Sequence, residues 1–206
     1  MTFPSNKYDS AAAFFADYAA EYQAAAAALD PDRIEAAADL LQAAYRARRW
    51  TFCCGNGGSA AISNHLLCDH VKGVRADTEV KPRVVSLSAN LEIVTAIAND
   101  ISYDDVFVYQ LQSLAEAGDV LISISSSGDS ENIVRAVEWA RDNGLVTIAM
   151  TGFSGGRSAQ LADVDIHFDS DNYGVTEDLH QSVMHVLAQY LRQAEMAQSL
   201  VEERKF

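Results

Sequence analysis

Two kinds of residue in this 206-residue chain have the type and spacing to do chemistry. The first is a run of small hydroxyls, Ser125-Ser126-Ser127-Gly128-Asp129-Ser130, which follows the apolar stretch 120–124. Four serines and a glycine at the entry to a helix can surround a dianionic phosphate with neutral donors, and the helix-start N–H groups add to them. A plain helix cap would need one serine. The second kind is a set of titratable pairs. His65 and Asp69 are four apart on a predicted helix and share a face. Glu177 and His185 are eight apart on the last predicted helix, about 80° around its axis at about 3.6 residues per turn, with His180 between them. The two pairs can supply an acid and a base, or four ligands for a metal such as Zn²⁺: His65, Asp69, Glu177 and His185. The same side chains cannot be saturated ligands and free acid–base groups at once, so these are competing models. His70 and His167 have no comparable partner in sequence and read as structural.

Two further small-residue loops matter. Gly55-Asn56-Gly57-Gly58-Ser59 follows the apolar stretch 50–54, and Thr151-Gly152-Phe153-Ser154-Gly155-Gly156 follows 146–150. No Gly-Lys-[Ser/Thr] occurs, and Gly55-x-Gly57 continues into Ala60 rather than a third glycine. No nucleotide cofactor is expected.

These loops need a scaffold. Five apolar runs, 50–54, 84–87, 120–124, 146–150 and 164–168, alternate with helical stretches at about 59–72, 90–98, 104–116, 130–142 and 176–199. The first four runs are nearly continuous hydrophobics, as expected of strands buried on both faces of a parallel sheet. The alternation implies a three-layer α/β/α fold with a five-stranded parallel sheet and right-handed crossovers. In such sheets ligands bind beyond the carboxyl ends of the strands, which is where all three loops fall. Residues 1–48 read as a helical hairpin. Eleven alanines lie within 9–29, Phe14, Tyr18 and Tyr22 form an aromatic stripe, and Asp30-Pro31 starts the second helix. Residues 49–206 form the α/β part, and the whole reads as one unit.

Composition narrows the function classes. Fifteen Lys and Arg against 29 Asp and Glu give a net charge of −14, which argues against nucleic acid and anionic membranes as partners. No apolar stretch is long enough to span a bilayer. The first ten residues lack the basic and apolar regions of a secretion signal. Cys53, Cys54 and Cys68 are odd in number and form no C-x-x-C, so they read as buried, reduced thiols of a cytoplasmic protein.

The segments CGNGGSA, ISSSGDSENI and MTGFSGG resemble the sugar isomerase (SIS) domain family, and within it the phosphoheptose isomerases, over nearly the whole chain. The resemblance implies the flavodoxin-like SIS fold and an aldose–ketose isomerase that moves a proton between C1 and C2 of a phosphorylated sugar. It implies that Ser125, Ser126, Ser127 and Ser130 hold the phosphate, and that Asn56, Gly57, Ser59 and Asp100 line the substrate site. Asp69 and His185 would serve as base and acid, with zinc bound beside the substrate in several members. It also implies a homotetramer with active sites shared between subunits, to which the N-terminal hairpin contributes. Four positions depart from the family pattern. Asp69 replaces a glutamate, Glu177 a glutamine and Gly174 an aspartate, and Lys72 is the nearest cation to the place of a missing arginine. The added charge at Glu177 favours a bound metal over a bare carboxylate pair. Two alternatives stand beside the heptose reading: an isomerase of a related sugar phosphate, and a non-catalytic adaptor that binds another protein.

Overall fold

In the computed structural model, which describes residues 3–206, the helical hairpin is set by two side-chain caps. Ser10 accepts a hydrogen bond from Ala13 N at 3.1 Å and starts α1 (Ala11–Ala28). Asp30 accepts from Asp32 N at 3.0 Å, with Pro31 behind it, and starts α2 (Pro31–Arg46). The α/β part then runs β1 (Trp50–Gly55), α3 (Gly58–Cys68), β2 (Arg83–Ser86), α4 (Leu91–Asp100), α5 (Val108–Leu114), β3 (Val120–Ser125) and α6 (Glu131–Asp142). It ends with β4 (Val146–Thr151), α7 (Gly156–Leu161), β5 (Val164–His167), α8 (Tyr173–Glu195) and α9 (Gln198–Glu203).

All four strand pairings are parallel, in the order β2-β1-β3-β4-β5. The chain leaves β1 to one side for β2 and returns to the other for β3, so the sheet changes direction between β1 and β3. That is the switch point at which open α/β sheets bind ligands. The register Gly55↔Ile124 and Ser125↔Thr151 brings the ends of β1, β3 and β4 level. The two faces of the sheet carry separate cores. Cys53, Ile122, Ile148 and Ile166 pack with Leu41 of α2, Ile62 of α3 and Leu187 of α8. Phe52, Cys54 and Leu121 pack with Ile97 of α4, Leu111 of α5 and Val137 of α6. Residues on both faces of β1 and β3 are therefore buried, which explains their unbroken apolar runs.

The structure departs from the sequence expectation in several places, among them the helix expected over 104–116, which is a 3-10 turn at Tyr103–Asp105 followed by α5. The helix expected over 59–72 ends at Cys68 and widens into a π-helical turn, Asp69–Val74. The last helix starts earlier, at Tyr173, and stops at Glu195, where Met196 is extended. The six-residue α7 was too short to leave a periodic signal. Cys68 is exposed at the end of α3, while Cys53 and Cys54 are buried. Burial pushes the Cys53 thiol up to about 12. The aromatic stripe of α1 is engaged within the chain. Tyr18 Oη donates to Asp178 Oδ2 at 2.6 Å, Tyr22 Oη meets Ser182 Oγ at 2.7 Å, and Phe14 packs against Phe3. It is Phe15, 70% exposed, that faces outward.

Candidate active site

The serine loop joins β3 to α6 and is held by its own hydroxyls. Gly128 N donates to Ser125 Oγ at 3.2 Å, and Asp129 N donates to Ser127 Oγ at 3.3 Å. The carbonyls of Ser126 and Gly128 accept from Gly152 N and Ser158 N, at 3.0 and 2.9 Å, which ties the loop to the segment after β4. Gly128 has φ +64°, and a Cβ there would collide with the Gly155 carbonyl, so no larger residue fits. Arg157 clamps the outside. Its guanidinium donates to Asp129 Oδ1 at 2.7 Å and to Glu131 Oε2 at 3.0 Å, and it holds the Asp129 carboxyl below the usual range.

Two hydroxyls are left without a task. Ser126 Oγ is buried with no hydrogen-bond partner among the described residues, and Ser130, at the N-terminus of α6, makes no side-chain capping bond. A buried hydroxyl without a partner is costly unless something else satisfies it. These serines line a cavity of about 110 Å³ together with Asn56, Ser59, Ser125, Ser127, Tyr173 and Glu177. The cavity sits over the N-terminus of α6, where helix-start N–H groups favour an anion. A larger cleft of about 480 Å³, lined by Asp30, Arg33, Asp163 and Asp165 beside β5, has the wrong charge for a phosphate.

Glu177 reaches this cavity because α3 begins with Gly58, where any Cβ would collide with the Glu177 carboxylate. Burial, with Asp178 second, raises the Glu177 carboxyl above its usual range. Asn56 is held in a reciprocal amide pair with Asn132. Its Nδ2 donates to Asn132 Oδ1 at 2.9 Å, Asn132 Nδ2 donates back to Asn56 Oδ1 at 3.0 Å, and Tyr103 Oη adds a bond at 2.9 Å. Gly57, with φ +53°, makes the turn into α3 and faces open space. Asp100 is exposed at the end of α4, takes a bond from Asn99 Nδ2 at 2.6 Å and does not line the cavity.

The second group lies between α3 and α8. His65, Asp69 and His185 each offer a ligand atom, and these atoms all lie within 4.8 Å of one another. His185 Nδ1 is 2.8 Å from Asp69 Oδ2, and His65 Nε2 is 3.4 Å from Asp69 Oδ1. The two imidazoles meet edge to face with centroids 4.9 Å apart. Glu177, expected from sequence as a fourth member, is not in this group. Gln181 is beside it, with its amide nitrogen 3.1 Å from His65 Nδ1 and 3.0 Å from His185 Nε2. Sequence reasoning passed over Gln181, although a polar residue four before His185 on a helix carried the signal. Tyr173, Asn132 and Tyr103 also went unnamed.

Two of the other histidines, His70 and His180, are turned inward. His70 Nδ1 bonds Tyr45 Oη at 2.6 Å, and burial lowers its imidazole to about 4. His180 is buried against Phe168 with both ring nitrogens unpartnered among the described residues, and burial lowers it likewise to about 4. His167 Nδ1 lies 3.0 Å from Thr151 Oγ1.

Known proteins share both sequence and fold with this chain. The SIS domain family model matches residues 14–152. The phosphoheptose isomerase of Nitratidesulfovibrio vulgaris is 40% identical over 134 residues, 65% of this chain and 64% of that protein. The phosphoheptose isomerase of Mycobacterium tuberculosis is 39% identical over 158 residues, 76% of this chain and 79% of that protein. The solved structure of phosphoheptose isomerase GmhA from Neisseria gonorrhoeae superposes with a TM-score of 0.80 at 31% identity, covering 88% of this chain and 96% of that one. With a matched family model over more than half its length, relatives of this identity and a sheet whose switch point carries a serine-lined cavity, this chain belongs to the SIS domain family, among its phosphoheptose isomerases.

Proposed function

We propose that the protein is an aldose–ketose isomerase that interconverts sedoheptulose 7-phosphate and D-glycero-D-manno-heptose 7-phosphate through an enediol. The observation that carries this reading is the buried, unpartnered Ser126 hydroxyl in a serine-lined cavity that also receives the Glu177 carboxylate. Such a cavity can anchor a phosphate at one end and present a carboxylate toward the rest of a short sugar.

The reaction needs three things of the protein. The phosphate is gripped by Ser125, Ser126, Ser127, Ser130 and the N-terminus of α6, and this remote binding energy fixes the reacting end. Asn56 and Ser59 complete the substrate surface, and Gly57 makes the turn between them, while Asp100 lies outside this cavity. A proton is moved between C1 and C2 by a carboxylate, Asp69 or Glu177, and His185 gives and takes the proton at the oxygen. Asp69 already accepts from His185 and orients that ring, whereas Glu177 has a carboxyl raised by burial, the direction a general base needs. Comparing the pH–rate profiles of Asp69→Asn and Glu177→Gln separates the two, since only loss of the base removes the acid limb.

His65, Asp69 and His185 form an imidazole–imidazole–carboxylate set that suits Zn²⁺. This is the alternative to the free acid–base pair: those three would hold the ion, which when bound would polarise the sugar carbonyl in place of the His185 acid and leave Glu177 as the carboxylate base. The chain assembles, in this reading, as a cytoplasmic homotetramer with active sites shared between subunits. Support comes from His65 and His185, 47% and 38% exposed at their side chains, and from Val186 and Tyr190, exposed apolar residues further along α8. No helix among the described residues is long and apolar enough to cross a membrane, and the charge of −14 repels nucleic acid.

The test is proton exchange. Protein in D₂O with sedoheptulose 7-phosphate should place deuterium at C2 of the aldose product. Chelation should slow that exchange, and Zn²⁺ should restore it. No exchange with this sugar, under either metal condition, sinks the proposal.

A further inference from the structure

The first turn of α6 has open donors with carboxylates beside them. The amides of Glu131 and Asn132 make no hydrogen bond among the described residues, and the Ser130 side chain leaves them uncapped. Asp129 and Glu131 flank that turn, one just before the cap residue and one just after it. A carboxylate at a helix start is drawn to the same N–H groups that would hold an anion, and it repels a dianion placed there. The cavity does not offset this repulsion: among the described residues no Lys or Arg lines it, whereas Glu177 does. Yet neither Asp129 nor Glu131 lines the cavity. Both are bonded instead to Arg157, the second residue of α7. Its Nε donates to Asp129 Oδ1 at 2.7 Å and its Nη2 to the Asp129 carbonyl at 3.1 Å, while Nη1 and Nη2 each donate to Glu131 Oε2 at 3.0 Å. Glu131 has a second hold, since its Oε1 accepts from Arg135 Nε at 3.0 Å. Asp129 is paired with no cation but Arg157 among the described residues.

We infer that Arg157 is a positioning residue for phosphate binding: it holds the Asp129 carboxylate, and with Arg135 the Glu131 carboxylate, on the outer side of the serine loop and so leaves the start of α6 open to a dianion. Two simpler roles do not account for it. The shape of the loop is already set without the guanidinium, by Gly152 N donating to Ser126 O, by Ser158 N donating to Gly128 O and by the left-handed backbone of Gly128. Stability is no sufficient reason either. The side chains of Arg157, Asp129 and Glu131 are between 40% and 56% exposed, and ion pairs so open to solvent contribute little. What the pairing does is place charge. Asp129 stays ionised, its carboxyl held below the usual range by the guanidinium, but its charge faces Arg157 rather than the helix start. Arg157 does not line the cavity, so it acts through Asp129 and not on the ligand. The inference rests on the phosphate-anchor reading above.

The experiment pairs binding with turnover. Binding of inorganic phosphate is followed by ³¹P NMR at a pH where the ion is dianionic, and KM and kcat are measured on sedoheptulose 7-phosphate. Arg157→Gln should raise the phosphate Kd and the KM about 10-fold, with kcat unchanged, as for a loss of binding common to ground and transition states. Adding Asp129→Asn removes the released charge and should bring both constants back near the wild-type values. An arginine that only held the loop in shape would not be made dispensable by removing its partner. Arg157→Gln with wild-type Kd and KM overturns the inference, and so does a double variant as weak as the single one. If Arg157→Gln alone does not fold, the double variant carries the comparison: wild-type binding upholds the inference, and weak binding overturns it. A wild type that isomerises the sugar while the single variant shares its KM refutes this inference and leaves the isomerase reading standing. The expected order of phosphate Kd values without any isomerisation does the reverse. A wild type that binds no phosphate refutes both.

Discussion

The two halves of the site are built on opposite principles. The serine loop is contiguous in sequence, carries no charge on its serines and is locked by backbone bonds to the segment after β4. It is set at the end of a strand whose six residues are all buried. The ring of contacts among His65, Asp69, Gln181 and His185 draws on residues 116 positions apart, sits between α3 and α8 and is partly open to solvent. Its members take their roles from one another rather than from the backbone. An anion anchor has one job, so it can be rigid and neutral. A proton-handling group must change state, so it gains from partners that are themselves adjustable. The contrast predicts that damage to the first half should appear in substrate binding and damage to the second in turnover.

The largest effect is expected at the ring. His185→Ala should lower kcat by about 10²–10⁴-fold, the usual contribution of a positioned acid or base, with a smaller change in KM. Steady-state rates on the heptose phosphate test this, and a variant that keeps most of its kcat removes His185 from the chemistry. At the loop, the double variant Ser126→Ala, Ser130→Ala should act on KM instead. A hydrogen bond to a charged group contributes about 1.5–3 kcal/mol, so losing two should raise KM roughly 100-fold or more. Because Ser126 Oγ has no partner among the described residues, the melting temperature should hold or rise. A fall in kcat with KM unchanged would erase the division of labour between the two halves.

The same contrast governs how much could be read from sequence. The strands were legible because burial on both faces leaves nearly continuous apolar runs, as in Val120–Ile124. The serine loop was legible because all its parts are neighbours in the chain. The ring was only partly so. His65 and Asp69 announced themselves by a four-residue spacing, and His185 by its place eight residues after Glu177, with its acid role added by family resemblance. Glu177 and His185 look like partners from their shared helix, yet the absence of a side chain at Gly58 makes room for Glu177 at the loop instead. No local pattern carries that information, because it depends on which helix crosses which. Gln181 was missed for a related reason. An amide has no titratable signature and matters only through the two rings it meets. The π-helical turn after Asp69 was also hidden, since a widened turn has the same composition as the helix it continues.

Two histidines on α8 extend the comparison to stability. His185 faces Asp69, and five residues earlier His180 is turned into the core against Phe168, with no hydrogen-bond partner for either nitrogen among the described residues. Burial holds the His180 imidazole at about 4, below its ordinary 6.5. The unfolded chain therefore binds a proton at this residue between those two values while the folded chain does not, and stability must rise with pH across that window. Its contribution is complete above about 6.5 and is lost as pH falls toward 4, by roughly 3 kcal/mol at most, at about 1.4 kcal/mol per pH unit. His70, buried beside Tyr45 and lowered to about 4, adds a slope of the same sign. His180→Leu should flatten part of this acid limb and keep the remainder. Urea unfolding of both proteins at pH 7 and at pH 4.5 reads the difference, with the variant losing less stability between the two. A variant whose acid sensitivity equals that of the wild type would mean that His180 reaches solvent or a partner when protonated, and the two faces of α8 would then differ less than their burial indicates.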